Sequence, residues 1–157
     1  MVYPPEPAVP REGSHPLSEL ADEHHLHVSI IEDVGSLVRQ RSPITAGKRF
    51  GELRLHLERH MQVEEELFDL CDQLPRPPPV LKRLRQEHTA ILAMLQQVND
   101  GLARNLSADE IEGKLATLQH QLNLHDEQER LQLFPVMETA QLDPQRYRNL
   151  LTKLAQT

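Results

Sequence analysis

The sequence predicts an all-α protein: an antiparallel up-down-up-down four-helix bundle, with a short fifth C-terminal helix as an optional addition. Three observations carry this. Leu, Glu, Gln and Arg abound, while Trp is absent and only two Tyr and three Phe occur among 157 residues, a composition that favours helix over sheet. Apolar residues recur at alternating intervals of three and four over four long stretches, the repeat of one helical face. Between those stretches lie Pro-rich or Asn/Ser segments that stop helices.

Residues 1–15 hold Pro4, Pro5, Pro7 and Pro10 among few apolar groups and read as a flexible arm, with His15 solvated at its end. The bundle is expected over 16–142 and the C-terminal helix over 143–157. The first helix runs from Pro16 to Gln40, with Ser14 as its cap and Pro16 suited to its first turn. Its stripe is Leu17, Leu20, His24, position 27 or 28, Ile31, Val34 and Val38. It ends near Arg41-Ser42-Pro43, because proline breaks a helix interior.

The second helix is expected from Thr45 to Leu74, with the stripe Phe50, Leu53, Leu57, His60, Glu64, Leu67, Cys71 and Leu74. The run Pro75-Arg76-Pro77-Pro78-Pro79 ends it as a stiff connector. The third helix spans Val80 to Arg104, striped by Leu81, Leu84, His88, Ile91, Leu95, Val98 and Leu102, with Asn105 as its stop. Ser107-Ala108-Asp109-Glu110 has the form of a capping box. A fourth helix follows from Ala108 to Ala140, with the stripe Ile111, Leu115, Leu118, Leu122, His125, Glu129, then Gln132 or Leu133, then Val136. Pro135 should bend or fray its last turn. After Asp143-Pro144, residues 145–156 place Tyr147, Leu150, Leu151 and Leu154 on one face.

Composition also narrows function. A net charge of −7 argues against a nucleic-acid-binding surface. No apolar run approaches the roughly 20 residues of a membrane span, and the N-terminus lacks the apolar core of a signal peptide. The expectation is a cytoplasmic monomer or homodimer. The single cysteine, Cys71, permits no internal disulfide and reads as a small core residue.

Six polar residues occupy apolar-stripe positions: His24, His60, Glu64, His88, His125 and Glu129. At about 1.5 Å per residue, His24 and His60 lie roughly 23 Å from their shared turn, and His88 and His125 roughly 25 Å from theirs. The four histidines therefore fall at one level of the bundle. The two halves of the chain also repeat. Glu23-His24 begins one and Glu87-His88 the other, and each second helix carries His-x-x-x-Glu followed by Leu-Phe. Two buried carboxylates without cations are costly and repel one another. Two divalent metals supply the missing charge, so the pattern points to a dinuclear site. Imidazoles and carboxylates without thiolate suit iron, manganese or zinc. Six side chains leave open positions for oxo, water, dioxygen or nitric oxide, which puts iron first.

The combination of Glu23-His24, HMQVEEELF from His60, Glu87-His88 with Ile91 and Leu92, and HDEQERLQLFP from His125 resembles the hemerythrin-like, or HHE cation-binding, family over about residues 17–137. The resemblance implies a four-helix bundle around a non-haem di-iron centre with oxo and carboxylate bridges. In it His24, His60, His88 and His125 ligate metal, and Glu64 and Glu129 bridge. The sequence departs from the oxygen-carrying members, which have His-x-x-x-His on the third helix and an aspartate bridge on the fourth. Here position 92 is Leu92 and the fourth-helix bridge is Glu129. The pattern is nearer to four-histidine, two-glutamate members, which include iron–sulfur repair proteins of nitrosative stress.

Register favours Glu64 over Glu65 as the inward carboxylate. His25 and His120 fall off their stripes and read as surface residues. His27 fits either a fifth ligand or a core-edge histidine, and His56 points near the same face. Glu65, Glu66 and Glu127 form a solvated face, from which one could accept a ligand histidine's second ring proton. Three functions compete. The leading one is a di-iron protein binding a small diatomic ligand, oxygen or nitric oxide, for sensing, scavenging or iron handling. The second is redox or cluster-repair chemistry at the same centre. The third is a structural or partner-binding bundle with zinc or no metal.

Overall fold

The computed structural model describes residues 16–140 and 142–155, with side chains described from residue 25 onward apart from 151, 154 and 155. The proline-rich arm expected at 1–15 lies outside the described residues. Helices α1 (Pro16–Arg39), α2 (Pro43–Asp72), α3 (Leu81–Ala103) and α4 (Ala108–Gln128) form the bundle. A π-helical turn (Glu129–Leu133) carries α4 on into α5 (Phe134–Thr139), and α6 (Pro144–Ala155) ends the chain. α1 packs on α2 and α4, and α3 packs on the same two helices, the ring of neighbours that an up-down-up-down bundle requires. α6 packs mainly on α2.

Boundaries follow local chemistry. α2 starts at Pro43 and not at Thr45, because a proline at the first helical position gives up only an N–H with no intrahelical partner. Ser107 Oγ accepts the Glu110 N–H at the start of α4, and Asp143 Oδ1 accepts the Gln145 and Arg146 N–H groups at the start of α6. Both bundle hairpins close with the same device. After α1, Arg41 takes a left-handed conformation (φ 55°) while the Ser42 N–H reaches the Leu37 carbonyl at 3.0 Å. After α3, Asn105 does so (φ 53°) and the Leu106 N–H reaches the Gly101 carbonyl at 3.1 Å. These are Schellman closures, where asparagine is tolerated and a long β-carbon side chain is strained.

The expected single fourth helix is corrected by the π-helical turn. The Phe134 N–H donates to the Glu129 carbonyl, five residues back. Pro135 has no N–H for the Leu131 carbonyl, and its ring would clash there in a regular helix; the wider turn removes the conflict. The turn also moves the inward face. Leu133 and Met137 are buried, whereas Gln132 and Val136, both expected as candidates for the stripe, are exposed.

The interior divides into two apolar clusters. One, toward the hairpin turns, includes Val34, Phe50, Leu53, Ile91, Leu95, Leu115 and Leu118. The other, toward the Pro-rich connector, includes Leu67, Phe68, Cys71, Leu84, Leu133, Met137 and Leu150 of α6. Cys71 is fully buried there, and burial pushes its thiol up to about 11, as suits an inert core residue. Between the clusters lies a layer of histidine and glutamate. No helix among the described residues is long and apolar enough to cross a membrane.

Relief of the left-handed strain gives a direct check. Arg41→Gly is expected to raise unfolding free energy by about 1 kcal/mol in urea titration; an unchanged or lower midpoint would show that Arg41 is held there without cost.

Candidate metal centre

The layer is built from i,i+4 pairs on two antiparallel helices and single histidines on their neighbours. In α2 the stripe Leu57, His60, Glu64, Leu67 turns an imidazole and a carboxylate inward. In α4 the same spacing turns His125 inward, and Glu129 follows where the π-helical turn begins. α3 supplies His88. All five side chains are between 1 and 3% exposed. His24 lies on α1, but its side chain is outside those described.

One donor atom from each of Glu64, His88, His125 and Glu129 lies within 4.8 Å of the others. His88 Nε2 is 2.7 Å from Glu64 Oε2 and 3.0 Å from His125 Nε2. His125 Nε2 is 2.9 Å from Glu129 Oε1 and 3.3 Å from Glu64 Oε2. The other Glu64 oxygen, Oε1, lies 2.5 Å from His60 Nε2. The Glu64 carboxylate therefore stands between His60 on one side and His88 with His125 on the other. That geometry selects Glu64 over Glu65 as the inward residue.

Hydrogen bonding does not satisfy this cluster. Glu64 Oε1 and Glu129 Oε1 each face a ring nitrogen, of His60 and of His125, without hydrogen-bond geometry, and Glu129 Oε2 is buried with no hydrogen-bond partner among the described residues. A buried carboxylate in that state costs several kcal/mol. The close nitrogen and oxygen atoms share a focus instead of pairing off, the arrangement of donors around a cation. Two carboxylates with three imidazoles and no thiolate fit a hard or borderline divalent metal.

The far sides of the rings are also held. His88 Nδ1 is 2.7 Å from Glu65 Oε1, and His125 Nδ1 is 2.9 Å from Glu87 Oε2. Each contact lets Nδ1–H donate to a carboxylate and leaves the Nε2 lone pair facing the cluster. The carboxylates are anchored in turn. Arg83 Nε donates to Glu87 at 3.2 Å, and Arg85 donates to Glu65, Asp69 and Asp72 at 3.3, 3.0 and 2.7 Å. Phe68 stacks on the His88 ring at 5.3 Å, with the Arg85 guanidinium 5.8 Å above Phe68. Glu65 thus takes the orienting role the sequence left open among three glutamates. Glu66 pairs with Lys153 of α6 instead, and Glu127 is exposed. The role of Glu87 was not anticipated; its signal was the Glu-His dipeptide recurring in both halves.

Among the other histidines, His25 and His120 are exposed as expected. His56 is half-buried, and His27 is buried at 3% exposure.

Electrostatics reflect the crowding. Burial raises the Glu64 carboxyl, yet His60, His125 and His88 hold it well below the ordinary carboxylate range. Burial and the adjacent Glu64 charge push Glu129 up to about 7 against the pull of His125. Burial opposes the His125 imidazolium, but Glu129 and Glu64 overcome it and push it up to about 12. His88 is likewise raised, burial being outweighed by its carboxylate partners.

The family model of the hemerythrin HHE cation-binding domain matches residues 15–137. The chain belongs to the hemerythrin HHE cation-binding family. No curated protein and no solved structure matches the chain significantly. The family and the buried His/Glu cluster together make this hemerythrin-like chain a metal-binding protein.

Two outcomes test the centre. Glu87→Ala should leave the helical circular dichroism intact while lowering metal affinity about 10–100-fold, because His125 loses its orienting acceptor; unaltered affinity in a chelator competition would remove Glu87 from the site. The second concerns pH. In the metal-free protein Glu129, His125 and His88 all have raised pKa values, so their contribution is complete below the unfolded values of 4.5 and 6.5 and is lost as pH rises, for Glu129 through about 7. Metal competes with those same protons. Metal-free stability should therefore fall between about pH 5 and 8, while metal affinity rises over the same window. Parallel slopes in denaturation and metal titration would contradict this.

Proposed function

We propose that this hemerythrin-like chain is a non-haem di-iron protein that binds a small diatomic ligand, oxygen or nitric oxide, in sensing, scavenging or iron handling. The carrying observation is the Glu64 carboxylate, with one oxygen turned to His60 and the other to His88 and His125. A carboxylate facing donors on both sides is suited to bridging two cations. His88 and His125 would hold one iron and His60, with His24, the other, while Glu64 and Glu129 would bridge. The iron pair, when bound, supplies open coordination positions and one-electron redox chemistry.

The chain's own residues set what can approach. Glu65 and Glu87 hold His88 and His125 in one tautomer. The apolar clusters above and below exclude bulk water. The cavity beside the histidines measures about 10 Å³ and is bounded by Leu57, Met61, Ile91 and Leu122 as well as polar groups. That is the space of roughly one water molecule. A space of that size suits a small gas better than a larger substrate such as a damaged cluster. An acidic surface and the absence of a membrane-spanning helix among the described residues accord with a cytoplasmic setting.

The test is anaerobic loading with ferrous iron, metal analysis, and optical spectra before and after oxygen or nitric oxide. Two irons per chain and a new visible band with one of the gases are expected. Glu64→Gln and Glu129→Gln should each lower iron content. A chain that takes up only zinc, or whose iron spectrum ignores both gases, would refute the reading.

A further inference from the structure

The hairpin end of the bundle holds a hollow of about 440 Å³, open between the two turns. Val38 of α1, Leu102 of α3, Leu106 and Ile111 of α4 give it an apolar wall. Small-molecule sites occupy about 300–1,000 Å³ and are built in this way, apolar with a few polar groups. The polar members here are Arg41 and Asn105, and none of the residues lining the hollow is acidic. A second hollow of about 310 Å³ adjoins it, sharing Pro43, Leu102 and Asn105 and reaching Ile44, which is 77% exposed. Apolar surface thus runs on from the first hollow toward solvent.

Arg41 distinguishes this hollow from a mere gap between turns. It holds φ 55°, where glycine is unstrained and a long side chain is not. The C-terminus of α1 does not call for it, since Arg39 already stands in the last turn and pairs with Glu112 at 3.0 Å. The Arg41 guanidinium forms no hydrogen bond or ion pair among the described residues. Strained backbone of this kind concentrates at ligand clamps. In a chain of net charge −7, an unpaired cation beside an acid-free apolar hollow is complementary to a ligand with an apolar body and an anionic head. We propose that this hollow binds a free amphipathic carboxylate, its chain lying between the hairpins toward Ile44 and its head on Arg41.

The probe is monomeric decanoate, titrated calorimetrically into the full chain, with decanol as the uncharged counterpart. One decanoate per chain is expected, bound about tenfold or more tightly than decanol, the worth of a charge-assisted contact. Arg41→Gly should remove that preference and leave decanol affinity unchanged, and Arg41→Lys should keep most of it. Ala108→Phe, which fills the hollow from the start of α4, should weaken both ligands. Variants are compared at wild-type helical circular dichroism; Arg41→Gln and Ala108→Leu replace any that loses it. No decanoate uptake by the wild-type chain overturns the proposal, as does equal affinity for decanoate and decanol. Unchanged decanoate affinity in either the Arg41→Gly or the Ala108→Phe chain overturns it too, placing the ligand elsewhere.

Discussion

Two glutamates buried within one layer of a helical bundle, Glu64 and Glu129, impose the condition that the surrounding structure answers. Their charges repel, and neither can reach water. Glu64 keeps its charge because three imidazoles crowd it, and Glu129 is driven toward the neutral form as a result. Three of the four carboxylate oxygens make no well-formed hydrogen bond among the described residues, two of them facing a histidine ring nitrogen instead. A cation resolves all of this at once, which is why membership in a cation-binding family and the geometry agree. The same condition explains the second ring of charge. Glu65 and Glu87 hold ring protons away from the centre, and Arg85 and Arg83 anchor those glutamates from outside.

The scaffold's irregularities sit where the chemistry is. The π-helical turn begins at Glu129 itself and reconciles an inward glutamate with the proline six residues later. The helix continues past it with its inward face carried by Leu133 and Met137, so the layer and the apolar cluster beyond it are both served by one rod. The hairpins at the other end are closed by matched left-handed residues, Arg41 and Asn105, and this keeps the two halves in comparable register.

Much of this was legible in the sequence, for identifiable reasons. Helix existence followed from stripes such as Phe50–Leu53–Leu57–His60–Glu64, because burial of one face dominates helix placement in a bundle. The inward histidines and glutamates were visible as polar breaks in those stripes. What escaped depended on contacts between helices or on backbone irregularity. Glu87 lies next to a stripe position on its own helix, and its partner, His125, comes from another one. The π-helical turn changes period within a few residues, so a regular extrapolation pointed Val136 inward in place of Met137. The start of α2 was set too late because Pro43 reads as a breaker, although at a first helical position it is benign.

The histidine–glutamate layer also partitions the molecule. Each apolar cluster is self-contained: the one near the hairpins draws on all four long helices, and the one near the Pro-rich connector adds Leu150 from α6. Side chains of one cluster are separated from those of the other by groups held at polar contact distances, 2.7 to 2.9 Å between histidine nitrogens and carboxylate oxygens, and not by van der Waals fit. A volume change such as a lost methylene at Leu95 falls among the apolar neighbours of its own end, with the polar layer between it and the other cluster. The two ends are thus free to drift independently in sequence, and the layer acts as a fixed datum between them.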